Sequence, residues 1–115
     1  MHYHGSCHCG NVRFEVDGEL ESLVECNCSS CSKKGFLWWF VPQTQFSLSA
    51  GEDSLSTYTF NKHVIRYQFC KTCGTTPFAY GSDGQGNEVA AINARCLDNT
   101  DISDLKVSQY DGLSA

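Results

Sequence analysis

Asn11-Val12-Arg13-Phe14-Glu15-Val16-Asp17-Gly18 sets Val12, Phe14 and Val16 on one side of an extended chain and Arg13 and Glu15 on the other. A period of two marks a half-buried strand, and Asp-Gly directly after it is a strong turn signal. Residues 20–26 read as a second strand, so the two are expected to pair as a hairpin that delivers Cys26 at its end. The stretch 29–34 is too short for more than one helical turn. Phe36-Leu37-Trp38-Trp39-Phe40-Val41 is a continuous apolar run stopped by Pro42, which fits a strand buried on both faces or one whose second face lines a pocket. Trp38 and Trp39 then point to opposite faces, with core packing as the default role of each.

Further along, 45–50, 54–60 and 64–69 carry strand composition, punctuated by Gly51 and Asn61-Lys62. Residues 76–80 form another short strand and 88–94 the last clear one. The glycine-rich stretch 81–87 is a hairpin turn rather than a phosphate cradle, because neither a GKS/T signature nor a helix follows it. Residues 101–105 suggest one helical turn capped by Asp101 or Ser103. Roughly eight short strands with turn signals about every 8–12 residues predict an all-β sandwich or partly open barrel.

The 115 residues suit a single domain, 1–115, with one core. The net charge of −5, without a Lys/Arg-rich stretch, argues against nucleic acid as a partner. No apolar run approaches a membrane span. Met1-His2-Tyr3-His4-Gly5 lacks the charged and apolar regions of a signal peptide, so a cytoplasmic location is expected.

Seven of the eight cysteines fall in three close groups: Cys7/Cys9, Cys26/Cys28/Cys31 and Cys70/Cys73. Without an export signal, this grouping favours metal binding over a disulfide framework. Cys7-His8-Cys9-Gly10 and Cys70-Lys71-Thr72-Cys73-Gly74 each let two sulfurs reach one ion, and together they are expected to make a closed, structural zinc site of four cysteines, the alternative being two unmetallated buried pairs. The glycine after each second cysteine lets backbone N–H groups turn toward the thiolates.

Cys26-Asn27-Cys28-Ser29-Ser30-Cys31 packs three sulfurs into six residues. Neighbours this close rarely reach disulfide geometry, whereas converging thiolates suit a soft ion, above all Zn²⁺. Three ligands leave a tetrahedral ion one position short, and three readings of that position stay open. Cys96 closes the site; or one of His2, His4, His8 and His63 completes it; or it is kept for water or a substrate thiolate. Lys33 and Lys34 follow the trio, where they could offset the thiolate charge and hold a substrate carboxylate, or simply belong to a solvated turn. Arg95 and Asp98 bracket Cys96 as a candidate structural pair. The histidines share no spacing and are assigned no role.

Four segments in order resemble one family. Gly5-Ser6-Cys7-His8-Cys9-Gly10-Asn11-Val12-Arg13-Phe14 resembles the opening motif of the glutathione-dependent formaldehyde-activating enzyme family, also called the centromere-protein-V-type domain. Cys26-Asn27-Cys28-Ser29-Ser30-Cys31-Ser32-Lys33-Lys34-Gly35 resembles its second motif and Phe69-Cys70-Lys71-Thr72-Cys73-Gly74-Thr75-Thr76-Pro77-Phe78 its third. Asn93-Ala94-Arg95-Cys96-Leu97-Asp98 resembles the segment that closes the sheet. The resemblance implies a small all-β β-tent fold of packed antiparallel sheets, stabilised by a structural zinc on Cys7, Cys9, Cys70 and Cys73. It implies a second, catalytic or substrate-linked zinc on Cys26, Cys28 and Cys31.

The implied activity is that of a carbon–sulfur lyase. It joins glutathione, or a related thiol, to formaldehyde or another small aldehyde, as in S-(hydroxymethyl)glutathione synthesis. Small-molecule thiol and aldehyde are then the expected partners, with glutathione as co-substrate. The competing class is a non-catalytic zinc module that carries glutathione or binds a protein. Three thiolates make zinc electron-rich and so a poorer Lewis acid, which favours that competitor.

Overall fold

A computed structural model describes residues 1–59, 65–82 and 85–111. Ten strands occur among them. The first five are β1 (His2–Ser6), β2 (Arg13–Asp17), β3 (Ser22–Cys26), β4 (Trp38–Pro42) and β5 (Phe46–Ala50). The others are β6 (Leu55–Tyr58), β7 (Arg66–Cys70), β8 (Phe78–Ser82), β9 (Glu88–Asn93) and β10 (Lys106–Tyr110), and a six-residue helix α1 (Ser29–Lys34) follows β3. They build a three-stranded sheet in the order β1-β2-β5 and a seven-stranded sheet in the order β10-β3-β4-β9-β8-β7-β6. The all-β class with two packed sheets is as the sequence predicts.

Phe14 and Val16 face inward from β2 and Val12 is buried just before it, as their period requires. The expected hairpin, however, does not form. Both edges of β2 are taken, by β1 on one side and β5 on the other, each antiparallel. The Asp17-Gly18 turn therefore carries the chain across to the other sheet, with the Gly18 N–H bonded to the Met1 carbonyl. β3 still ends at Cys26, but its partners are β4 and β10. The pairing with β10 is parallel, while the other strand pairings among the described residues are antiparallel, as expected.

The core lies mainly between the sheets, where Phe14, Phe78, Leu23, Ile92, Val12 and Val16 are almost completely buried. Trp39 packs in this main cluster. Trp38, one residue earlier, faces the other way into a second cluster with Cys31, Phe36, Tyr67, Ala79 and Ala91. The apolar run thus supplies both faces of β4, and the second face is the one that meets the cysteine trio.

Two smaller expectations are corrected. Residues 101–105 hold a turn rather than a helix, although Asp101 does cap it by accepting from the Ser103 N–H at 3.0 Å and from the Ser103 hydroxyl at 2.7 Å. Arg95 and Asp98 go to different partners: the Arg95 side chain donates to the Gly35 carbonyl at 3.0 Å, and Asp98 accepts from the Ser6 hydroxyl. The Asn61-Lys62 turn, His63 and part of the 81–87 loop lie outside the described residues.

Candidate metal centres

The first cysteine group sits where the two sheets meet. Cys7 and Cys9 lie in the turn between β1 and β2, Cys70 ends β7, and Cys73 follows in a tight turn. The turns close as the glycines allow. The Gly10 N–H bonds to the Cys7 carbonyl and the Gly74 N–H to the Cys70 carbonyl. Both glycines have positive φ, 83° and 81°, a conformation that costs glycine little. The four sulfurs lie within 4.8 Å of one another. Cys7 Sγ is 3.6 Å from Cys9 Sγ, and Cys9 Sγ is 3.7 Å from Cys70 Sγ.

Tetrahedral zinc with Zn–S bonds of about 2.3 Å places sulfurs about 3.8 Å apart, close to the two separations above, so the donor set fits that ion. The Val12 N–H points at Cys7 Sγ at 3.4 Å, and the Thr75 hydroxyl contacts Cys73 Sγ at 3.4 Å. Burial opposes ionisation of Cys73, but hydrogen bonds from Thr75 and from the Cys9 backbone win and bring it down to about 5. That is a thiol prepared to be a thiolate.

The second group is built by α1. Cys26 closes β3, Cys28 caps the helix, and Cys31 lies in its first turn. The Cys31 N–H donates to Cys28 Sγ at 3.3 Å and the Cys28 N–H to Cys26 Sγ at 3.4 Å. Sulfur thus takes the place that Ser, Asp or Asn oxygens usually hold at a helix start. Gly35 ends the helix in the left-handed region at φ 70°, its N–H bonded to the Cys31 carbonyl. Cys31 is 4% exposed, and burial pushes its thiol up to about 12 even though the Trp38 indole N–H donates to it at 3.4 Å. A desolvated thiol among two others, already supplied with N–H donors, asks for a cation. The donor chemistry fits zinc here as well.

The geometry narrows the three readings of the fourth position. Cys96 is buried in the main core with Cys7 and Cys70. Its thiol is pushed up to about 12, first by burial and then by the charges of Cys7, Asp98 and Cys73. The spare sulfur therefore belongs beside the four-cysteine group. Among the described residues no histidine or carboxylate joins the trio. His2 and His4 lie on the three-stranded sheet and His8 is exposed.

A model of the glutathione-dependent formaldehyde-activating enzyme family matches residues 2–111. The chain belongs to that family. Its fold is similar to that of a crystallised Rhodobacter sphaeroides protein, with a TM-score of 0.78 over 91% of this chain and 99% of that one at 23% identity.

In this member of the formaldehyde-activating family, the trio backs onto aromatic rings that sequence reading does not assign to it. The rings of Phe36 and Trp38 stand 4.4 Å apart, and Phe36 stacks on Tyr67 at 6.0 Å. The Tyr67 hydroxyl is 4.0 Å from Cys31 Sγ. Burial, followed by the charge of Cys31, holds that hydroxyl well above the ordinary tyrosine range, so it stays protonated. The placing of Tyr67 between polar Arg66 and Gln68 in a strand is the one signal that could have pointed to its burial.

Of the two lysines, Lys34 reaches this wall. Its Nζ lies 4.7 Å from the centre of the Tyr58 ring and 5.7 Å from that of Tyr67. Lys33 is exposed one residue earlier. Two surface hollows lie elsewhere, one of about 320 Å³ bordered by Phe46, Arg66 and Tyr80 and one of about 530 Å³ bordered by Phe40, Pro42 and Glu88. Neither includes a trio residue. Among the described residues no helix is long and apolar enough to cross a membrane.

Proposed function

We propose that residues 1–115 act as one zinc-dependent domain with carbon–sulfur lyase-type activity. It joins glutathione or a related thiol to formaldehyde or another small aldehyde at Cys26, Cys28 and Cys31. Membership of the family over residues 2–111 carries this reading. A sulfur trio with no fourth partner among the described residues supports it. In the reaction the thiol sulfur bonds to the carbonyl carbon, the carbonyl π pair moves to oxygen, and the thiol proton ends on that oxygen. The reverse is carbon–sulfur cleavage.

Zinc held by the three cysteines would supply positive charge that keeps an incoming thiol deprotonated at neutral pH. The chain's own groups do the rest. The Trp38 N–H and the helix-start N–H groups share the charge of the sulfurs. Tyr67, protonated and beside Cys31, is placed to pass its proton to the oxygen that gains charge and to take back the proton the thiol loses. Lys34, held over the rings, and Lys33 offer cations to the carboxylates of a glutathione-type thiol. Cys7, Cys9, Cys70 and Cys73 would hold a second, structural zinc.

The absence of an acid–base carboxylate or imidazole from the trio, among the described residues, favours a second reading: a zinc module that carries glutathione without turning it over. Adduct formation from formaldehyde and glutathione, followed by NMR, separates the two. The expected rate exceeds the uncatalysed background for the wild type and falls at least about tenfold in Cys31→Ser. A wild-type rate equal to background sinks the enzyme reading. Titration of the same zinc-loaded protein with millimolar glutathione then decides whether carriage survives.

A further inference from the structure

The outer face of the three-stranded sheet carries a donor cluster of another kind. β1 and β2 pair with His2 opposite Asp17 and His4 opposite Glu15. Residues two apart on a strand share a face, so these four side chains emerge on the side away from Tyr3, Phe14 and Val16. His2 Nε2 is 2.7 Å from Glu15 Oε1, and His4 Nδ1 is 3.8 Å from the same oxygen. The three donor atoms lie within 4.8 Å of one another. Donors on tetrahedral zinc, bound at about 2.0–2.1 Å, stand about 3.3 Å apart, between the two observed distances.

Two surrounding contacts separate this cluster from an ordinary solvated cross-strand pair. Asp17 Oδ1 is 2.5 Å from His2 Nδ1, the ring nitrogen that faces away from the convergence point. Ser49, on β5, donates to the other oxygen of Glu15 at 3.0 Å. A carboxylate on the far nitrogen of a histidine, and a hydrogen-bonded carboxylate beside it, are how proteins orient metal ligands. With its Nδ1 proton held by Asp17, a neutral His2 aims the Nε2 lone pair at the Glu15 carboxylate. Two acceptors at 2.7 Å repel unless a cation, a proton or a metal ion, sits between them.

We propose that His2, His4 and Glu15 form an exchangeable surface site for a borderline divalent cation such as Zn²⁺, with Asp17 and Ser49 as positioning residues. The imidazole–carboxylate donor set suits zinc or its late first-row neighbours better than Mg²⁺ or Ca²⁺. The side chains of His2, His4 and Glu15 are 45%, 65% and 39% exposed. The site is therefore open to solvent, keeps room for water on the ion, and releases it more readily than the thiolate groups do. It is independent of the reading of the cysteine trio, since it uses none of those residues.

The test starts from zinc-loaded protein, dialysed against micromolar Zn²⁺ at about pH 7.5, with bound metal counted and the histidine ring nitrogens followed by NMR. Wild type is expected to retain one equivalent more than His4→Gln, with at least tenfold weaker binding of that equivalent in Glu15→Gln and shifted ring signals for His2 and His4. All three ligands are on the outer face, so neither variant disturbs the core. Equal stoichiometry in wild type and both variants at Zn²⁺ on the order of 100 micromolar overturns the site. So do His2 and His4 ring signals that stay put while the extra zinc binds.

Discussion

At the scale of the residue, the sulfurs were legible and their supporting partners were not. Spacing alone groups Cys26, Cys28 and Cys31, because three soft donors within six residues have few other uses. Trp38 and Tyr67 reach Cys31 from positions 7 and 36 residues away, and a contact across that separation leaves no periodic trace in the sequence. Cys96 shows the converse. Its isolation in the chain invites pairing with the trio, but burial beside Cys7 and Cys73 gives it to the other group. The Trp38 indole matters through one N–H. Trp38→Phe keeps a ring beside Phe36 and Tyr67 but removes the donor to Cys31, and loss of such a ligand-orienting contact lowers metal affinity by about 10–100-fold. Competition with a chromophoric chelator measures it. Unchanged affinity would mean the indole only fills space.

Strands were readable where burial alternates and unreadable where it does not. Phe14 and Val16 mark β2 because each second residue is apolar. In β1 a glycine, Gly5, is the fully buried residue, so the strand has no hydrophobic period; β10 is exposed along its whole length. The hairpin expected at Asp17-Gly18 failed because the turn signal was local, whereas β2 pairs with β1 before it and β5 far after it. Gly5 explains how β1 packs without an apolar side chain. It stands opposite Phe14, whose ring takes the space a side chain would fill, so a Cβ at Gly5 would collide with Phe14 Cζ. Covering a glycine with a cross-strand aromatic is a recognised way to seal a sheet. Gly5→Ala must displace that ring and is expected to cost about 1–3 kcal/mol in urea unfolding. A loss below about 0.5 kcal/mol would show that the ring moves freely.

For the molecule as a whole, the four-cysteine group is the junction. Cys7 and Cys9 belong to the three-stranded sheet and Cys70 to the seven-stranded one, so an ion on these sulfurs ties the sheets together. An isolated bridge, Gly5 with Leu97, and the bond from the Asp98 N–H to the His4 carbonyl add to the seam. Treating the protein with a strong zinc chelator is expected to lower its melting temperature and to speed amide exchange in β1, β2 and β5 ahead of β4 and β9. Melting unaffected by the chelator would show that packing alone holds the sheets. The same junction sets a schedule for synthesis. Cys9 and Cys70 are 61 residues apart, so at about 5–20 residues per second the first half-site waits roughly 3–12 s on the ribosome for its complement. Through that interval Cys7 and Cys9 are bare thiols, and the reducing power around the nascent chain decides how many molecules still have four sulfurs to offer.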